Sequence, residues 1–223
     1  MDPKQWNAVD SYFEEALHLN DTALEHARDR SREAGLPAHE VAPNQGRLLQ
    51  IFAQMVRARR ILEIGTLGGY SSIWLARALP AGGQLLTLEH DPACAQVARQ
   101  NLAAAGLAGC TEIIVGDARD TLRRLVAERA PAFDMIFLDA DKADNPQYLA
   151  GALALARDGT VIVGDNIIRG GRIADPEAAG QPDVRGARRF LEALGHDLRL
   201  TATAIQTVGS KGWDGFSLAV VSR

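Results

Sequence analysis

The sequence is poor in the residues that most often build metal centres and disulfide frameworks. Only two cysteines and five histidines occur in 223 residues. The spacing of Cys94 and Cys110 fits neither a disulfide framework nor a metal-binding motif, and the histidines are scattered, so no zinc site is predicted. We therefore expect both thiols to be reduced and to take no part in the chemistry.

Long hydrophobic runs and a surplus of positive charge are also missing. No apolar run approaches the ~18 residues of a membrane helix, and residues 1–20 lack the basic start and apolar centre of a signal peptide. The net charge of −4 and the pI near 5.7 provide no general basic surface for nucleic acid. These absences predict a cytoplasmic protein without membrane contact, and they favour small-molecule substrates over nucleic acid.

The length and composition that remain are those of one globular domain. With 47% hydrophobic and 23% charged residues, the chain is able to bury one sizeable core. We assign residues 1–223 to a single domain, with N-terminal helices in 1–58 and an α/β core in 59–223.

Short apolar strands alternate with helices from residue 61 onward. This alternation predicts an α/β fold with a Rossmann-like, doubly wound sheet that binds ligands at the carboxyl ends of its strands. The last two of seven strands are joined by a turn at 209–215, so the final strand is expected to be antiparallel. The predicted strands are 61–65, 84–89, 111–115, 133–139, 160–164, 198–208 and 215–222. The predicted helices of the core are 71–79, 92–105, 118–129, 145–156 and 183–194.

An N-terminal extension of three amphipathic helices precedes the sheet. Apolar residues recur at helical spacing in 5–19, 21–34 and 45–56. Spacing leaves three roles open for these helices: covering the site, forming a dimer contact, or simply packing on the sheet.

The first strand ends in a run of glycines, after which a helix begins at once. Gly65, Gly68 and Gly69 allow positive φ angles and close approach of a ligand to the backbone. The N–H groups in the first turn of the helix favour an anion such as a carboxylate or a phosphate. Because the turn lacks the G-x-G-x-x-G pattern, a nicotinamide cofactor is disfavoured. The alternative is a packed turn whose glycines serve geometry alone.

Acidic residues follow the second and third strands. Glu89 is placed to accept hydrogen bonds from both hydroxyls of a ribose, as acids at this position of nucleotide-binding folds do. Its alternative is a solvated acid beside Asp91. Asp117 is placed near the expected adenine site, and its residue type also suits the N-cap of the following helix.

The fourth and fifth strands end in oxygen-bearing side chains. Asp139 follows one strand and Asp165-Asn166 follow the other, and both strand ends are expected at the same edge as the glycine turn. Such hard oxygen ligands, with room for water, suit Mg²⁺, Mn²⁺ or Ca²⁺ rather than zinc. Turn or cap roles are the alternative for Asp165 and Asn166.

Five segments carry these motifs in a specific order and spacing. They are Glu63-Ile64-Gly65-Thr66, Gly69-Tyr70-Ser71-Ser72, Asp139-Ala140-Asp141-Lys142, Asp165-Asn166 and Arg169-Gly170-Gly171-Arg172. Across residues 36–222 the sequence resembles the caffeoyl-CoA and catechol O-methyltransferase family of class I methyltransferases, which use S-adenosylmethionine.

The resemblance implies roles for individual residues. Asp139, Asp165 and Asn166 would hold a divalent cation, with Mg²⁺ expected first and Mn²⁺ or Ca²⁺ as alternatives. Lys142 would be the general base, with Asp139 beside it as a second catalytic residue; an ordinary surface lysine is the alternative. The implied cofactor-binding residues are Val41, Glu63, Gly65, Thr66, Tyr70, Ser71, Glu89, Ala118, Asp139 and Asp141. Val41 departs from the family's plant members, which often carry a hydroxyl residue there.

The implied function is methyl transfer from S-adenosylmethionine to one hydroxyl of a catechol-like phenolic acceptor, by a homodimer. One alternative is methylation of a hydroxylated uridine in tRNA, against which the acidic pI argues. Another is a protein that binds the cofactor without turnover. Residues 167–183 and the turn around Trp213 are expected to shape the acceptor pocket.

Overall fold

The computed structural model describes residues 2–222 and contains one seven-stranded sheet in the order β3-β2-β1-β4-β5-β7-β6. Strands β1 to β5 are parallel, and β7 lies antiparallel between β5 and β6. This confirms the predicted α/β class and the antiparallel last strand. The strands are β1 (Arg60–Ile64), β2 (Gln84–Glu89), β3 (Thr111–Val115), β4 (Phe133–Leu138), β5 (Ala156–Asp165), β6 (Leu200–Gly209) and β7 (Gly212–Val221).

Four of the helices begin at an aspartate that caps them. Asp2, Asp21, Asp91 and Asp117 each accept a backbone N–H at the start of a helix. No helix within residues 2–222 combines the length and the apolar character needed to cross a bilayer. The helices are α1 (Pro3–Ala16), α2 (Thr22–Glu33), α3 (Pro43–Met55), α4 (Tyr70–Arg77), α5 (Pro92–Ala104), α6 (Ala118–Ala127), α7 (Asn145–Ala154) and α8 (Pro182–His196).

The sheet separates two hydrophobic cores, because successive side chains of a strand point to opposite faces. Ile61 of β1 packs with α2, α3, α4 and α5, whereas Leu62 packs in the core formed with α6, α7 and α8. Helices therefore cover both faces of the sheet. Two helices of the N-terminal extension, α2 and α3, are part of the first core.

Two predicted boundaries are wrong for identifiable reasons. The hairpin turn is shorter than 209–215, because Gly212 already pairs with Gly209, and its φ of +89° lets the chain reverse there. Strand β5 begins at Ala156 rather than at 160, because a shift in register between β4 and β5 lets Ala156 pair with Phe133. As a consequence α7 ends at Ala154.

Both cysteines are free thiols, as expected. Burial, together with the charges of Glu89 and Asp91, raises the pKa of the Cys94 thiol. A raised pKa leaves less of the nucleophilic thiolate, so this residue is poorly suited to chemistry.

Candidate active site

A cavity of about 1130 Å³ opens at the carboxyl ends of the parallel strands, where a doubly wound sheet binds its ligands. The loops after β1 to β5 form one side, and residues 38–42, α1 and the β6–β7 hairpin form the other. Every predicted site residue except Glu63 lines this cavity. They are Val41, Gly65, Thr66, Tyr70, Ser71, Glu89, Ala118, Asp139, Asp141, Lys142, Asp165 and Asn166.

The glycine turn brings the ends of β1 and β4 into direct contact. Gly65 has a φ of +100°, and a Cβ at this position would overlap the carbonyl oxygen of Asp139. Glycine is therefore required at position 65 for both conformation and space. The turn continues into α4, whose first residues, Tyr70 and Ser71, face the cavity.

The Glu89 side chain binds backbone N–H groups of the same turn. Its Oε2 accepts the backbone N–H of Thr66 at 3.2 Å and of Leu67 at 2.7 Å, and its Oε1 accepts that of Asp91 at 2.8 Å. A carboxylate offers about four acceptor positions, so capacity remains for a ligand hydroxyl. Sequence reasoning placed Glu89 at the cavity but did not predict that it fixes the glycine turn.

Replacing Glu89 by alanine should weaken cofactor binding by about 1–3 kcal/mol, the range for hydrogen bonds to a charged group. The variant would lack the acceptors for the ribose hydroxyls, and its glycine turn would be less ordered. The lost binding free energy corresponds to a Kd for the cofactor that is roughly 5- to 150-fold higher. Calorimetric titration with S-adenosylhomocysteine measures this Kd. Glu112→Ala, at an exposed acid of β3, is the matched control. An unchanged Kd in Glu89→Ala would contradict the predicted role.

Glu63 is fully buried behind the turn and does not reach the cavity wall. Its carboxylate accepts hydrogen bonds from Ser71 Oγ at 2.6 Å, from Thr87 Oγ1 at 2.7 Å and from Ser72 Oγ. Burial raises the pKa of Glu63 to about 7, and the three hydroxyls act against this shift. The structure therefore gives Glu63 a supporting place beneath Ser71, and its direct contact with a cofactor stays a prediction.

Asp117 has the capping role that its sequence position allowed. It accepts the backbone N–H of Arg119 at 2.7 Å and forms an ion pair with the same residue at 2.6 Å. The Arg119 side chain is the main reason why the pKa of Asp117 is lowered. Asp117 and Ala118 both line the cavity, so capping and proximity to the ligand coincide.

The ends of β4 and β5 bring two carboxyl groups and one amino group together. Lys142 is only 6% exposed, and its Nζ lies 2.8 Å from Asp139 Oδ1. Asp165 is 3% exposed, and its Oδ1 accepts the backbone N–H of Asn166 at 2.8 Å. Burial raises the pKa of Asp165 to about 7, with a further contribution from the charge of Asp139. Lys142 partly opposes this effect.

The chemistry of this donor set fits a divalent cation. The charge of Asp139 raises the energy of the charged form of Asp165 in a largely buried place, and a cation would relieve this. Within residues 2–222, no three Asp, Glu, His or Cys side chains are arranged to hold a metal ion. A cation here would therefore need the amide oxygen of Asn166 as its third protein ligand, and an all-oxygen set of this kind suits Mg²⁺.

Helix α8 holds the backbone of Lys142 in place. A Cβ at Gly186 would overlap the carbonyl oxygen of Lys142 and would lie 2.7 Å from the Cα of Ala143. The short 3₁₀ turn of Lys142–Asp144 therefore rests directly on the backbone of α8. The sequence contained no signal for this contact, because a glycine inside a helix carries no information about its neighbour.

Gly186→Ala is expected to lower the free energy of unfolding by about 1–3 kcal/mol, as overpacking does, and to slow turnover by displacing Lys142. Gly195→Ala in the same helix is the matched control, since no atom lies within 4 Å of its added Cβ. The control should be neutral or slightly stabilising, because alanine favours helix more than glycine does. Denaturant unfolding and initial rates at saturating cofactor test both variants. Equal behaviour of the two would disprove the contact.

The far side of the cavity comes from α1, whose role the sequence left open, and from the β6–β7 hairpin. Asp10 of α1 is buried, and it accepts the backbone N–H of Ser210 at 2.7 Å and the amide of Asn44 at 3.1 Å. Lys211 Nζ donates to the carbonyl oxygen of Ala38 at 2.9 Å. Helix α1 and the tip of the β6–β7 hairpin thus cover the cavity, which is one of the roles proposed for the N-terminal helices.

The arginines expected at the acceptor pocket are paired with an acid. Asp183 Oδ2 lies 2.7 Å from Arg169 Nη2 and 3.0 Å from Arg172 Nη2. Arg172 also donates to Gln181. The ring of Trp213 packs against Gly171, at which a Cβ would lie 2.6 Å from the ring. These residues therefore stabilise the loop after β5, and Arg169 also lines the cavity.

Known proteins with similar sequences and structures are O-methyltransferases. An O-methyltransferase family model matches residues 14–219. A catechol O-methyltransferase from Niastella koreensis is 49% identical over 221 residues, covering 99% of this chain and 100% of that protein. The O-methyltransferase of Bacillus cereus, solved with S-adenosylhomocysteine (SAH), is 48% identical with a TM-score of 0.96, covering 99% of this chain and 100% of that one. TomG from Streptomyces achromogenes, an O-methyltransferase of tomaymycin synthesis solved with S-adenosylmethionine, is also 48% identical with a TM-score of 0.96, and the alignment covers 100% of both chains.

Proposed function

Because the chain belongs to the O-methyltransferase family, we propose that it transfers the methyl group of S-adenosylmethionine to one hydroxyl of a catechol-like small molecule, with the help of a divalent cation. The observation that carries this proposal is the grouping of half-buried Asp139 with buried Lys142 and Asp165, on the cavity wall that also bears Gly65 and Glu89. The catechol O-methyltransferase relative and the solved relatives with bound cofactor support it.

The cofactor would lie along the ends of β1 to β4. The glycine turn and the N terminus of α4 suit the carboxylate of its methionine part. Glu89 would accept hydrogen bonds from the ribose hydroxyls, and Ala118 would border the adenine. Val41 is 5% exposed on the opposite wall and would help to exclude water from the reacting centre.

Lys142 would take the proton of the acceptor hydroxyl. A free phenol has a pKa near ~10 and is mostly protonated at neutral pH, so it is a poor nucleophile without a base. To act as the base, Lys142 would need to be in its unprotonated form. Its Nζ would then take the phenol proton while the phenol oxygen attacked the methyl carbon of the cofactor, and the C–S bond would break to leave S-adenosylhomocysteine. Asp139, at 2.8 Å, would stabilise the ammonium that forms.

Asp139, Asp165 and Asn166 would hold the cation. When bound, the cation would neutralise the buried carboxylates and favour loss of a proton from an adjacent acceptor hydroxyl. The protein's own contribution is to keep these oxygen atoms in a partly closed cavity, where water competes less for the charge.

A screen of acceptors with methyl-labelled S-adenosylmethionine and Mg²⁺ tests the proposal. Catechols, caffeoyl esters and flavonoids with adjacent hydroxyls should be labelled. Resorcinol, whose hydroxyls are not adjacent, is the matched control and should stay unlabelled, as should bulk tRNA. Labelling of tRNA alone, or equal labelling of catechol and resorcinol, would overturn the proposed acceptor class.

We also propose that the protein forms a homodimer. The support is a group of exposed apolar side chains on α1 and at its C-cap, where Val9, Tyr12 and Leu17 are 49%, 67% and 62% exposed. Such a group is commonly covered by a partner. Light scattering should give twice the chain mass of 24.0 kDa, and a value equal to the chain mass at micromolar concentration would reject the dimer.

A further inference from the structure

The loop after β5 adopts an uncommon backbone conformation directly beside the proposed cation site. Asn166, Arg169, Gly170 and Gly171 have φ angles of +54°, +56°, +64° and +87°. Such angles are uncommon for residues other than glycine, although asparagine adopts them more often than arginine does, and neighbouring contacts help to hold them. The position of the Asn166 amide therefore depends on contacts made by the rest of the loop.

Those contacts come mainly from Asp214 on β7. Its Oδ1 accepts the backbone N–H groups of Ile168 at 2.9 Å, of Arg169 at 3.1 Å and of Gly215 at 3.0 Å. Hydrogen bonds to a charged carboxylate are stronger than those between neutral groups. One half-buried side chain thus binds two consecutive amides of the loop and fixes its own strand at the same time.

The backbone of β7 adds two further contacts on either side of Asp214. The N–H of Ile167 donates to the carbonyl oxygen of Gly215 at 3.1 Å, and the N–H of Gly170 donates to that of Trp213 at 3.1 Å. Four loop amides, those of residues 167 to 170, are therefore bound by residues 213 to 215.

We infer that Asp214 is a positioning residue for the acceptor end of the site, since its carboxylate holds the backbone of the loop that begins at Asn166. The inference rests on the proposed function for the identity of the cation site. Asp214 itself is not a cation ligand in this inference. It acts through the loop backbone, and the cofactor end of the cavity is independent of it.

Binding of Mn²⁺ to the protein without substrate, followed by electron paramagnetic resonance, tests this role. Asp214→Ala should weaken Mn²⁺ binding about 10- to 100-fold, the usual effect of losing a group that orients a metal ligand. Asp214→Asn retains Oδ1 and should recover most of the affinity. The Kd for S-adenosylhomocysteine should stay within about twofold in both variants, because additivity holds for distant sites. Hydrogen exchange at residues 167–170 should accelerate in Asp214→Ala.

The control is Asp197→Ala, since Asp197 also accepts a backbone N–H, that of Arg199 at 3.0 Å, in the connection between α8 and β6. It should alter neither Mn²⁺ binding nor exchange at 167–170. Three results for Asp214→Ala would each overturn the inference. They are Mn²⁺ affinity equal to that of the wild type, unchanged hydrogen exchange at residues 167–170, and a loss of S-adenosylhomocysteine binding as large as the loss of Mn²⁺ binding. A wild-type protein that binds no Mn²⁺ would instead refute the cation in the proposed function, and the inference would fall with it.

Discussion

Asp165→Asn is expected to reduce methyl transfer at least about 100-fold, because even groups that only orient a metal ligand are worth 10- to 100-fold in affinity. Asp165 is 3% exposed at the end of β5. Asparagine has nearly the same shape, so the substitution removes the charge that would attract the cation without leaving a void. The Kd for S-adenosylhomocysteine should remain within about threefold, since Asp165 belongs to the acceptor end of the cavity.

Removal of the cation should reproduce this result in the unmodified protein. EDTA should abolish transfer, and added Mg²⁺ should restore it. Asp158→Asn, at an exposed acid near the opposite end of the same strand, is the matched control and should keep full activity. Full activity of Asp165→Asn, or of the protein in metal-free buffer, would leave Asp139 and Asp165 as structural acids.

Lys142→Met is expected to slow methyl transfer by about 10²- to 10⁴-fold near neutral pH, the usual contribution of a general base. Methionine preserves the buried aliphatic part of the side chain and removes the amine. Metal and cofactor binding should persist, because the glycine turn, Glu89 and the oxygen ligands are unchanged. Calorimetry with S-adenosylhomocysteine checks this binding before any rate is interpreted.

The pH profile separates a base from a residue that only balances charge. If Lys142 takes the proton, the variant should recover part of its rate as pH rises, since the acceptor hydroxyl then ionises without help. A nitrocatechol, whose proton is already largely lost, should be affected less than catechol. Lys4→Met, at an exposed lysine of α1, is the control. Equal losses for both acceptors at every pH would assign Lys142 to positioning.

The edge of the sheet that carries the site could be predicted from local patterns. A buried strand that ends in glycines indicated the turn at Gly65, and the period of apolar residues indicated which segments are parallel strands. Parallel strands have their carboxyl ends at one edge, so Glu89, Asp139 and Asp165 were expected to meet there. The structure places all three on one cavity wall.

The direction of individual side chains could not be predicted in the same way. Glu63 points into the core toward Ser71, Ser72 and Thr87, because its place in the alternation of β1 faces the α4 side of the sheet. Glu89 combines a place at the cavity with three bonds to backbone amides. Residue type and spacing are compatible with several such arrangements, and packing selects one.

Short-range information therefore accounts for the fold class, the glycine turn and the identity of the acidic strand ends, since each depends on φ preferences and apolar periods within a few residues. Contacts between distant parts of the chain account for the rest. Asp10 meets Ser210, Gly186 supports Lys142, and Asp214 holds the loop after Asn166. No local pattern encodes these pairs, because they arise only when β7 inserts between β5 and β6 and when α1 and α8 pack against the completed sheet.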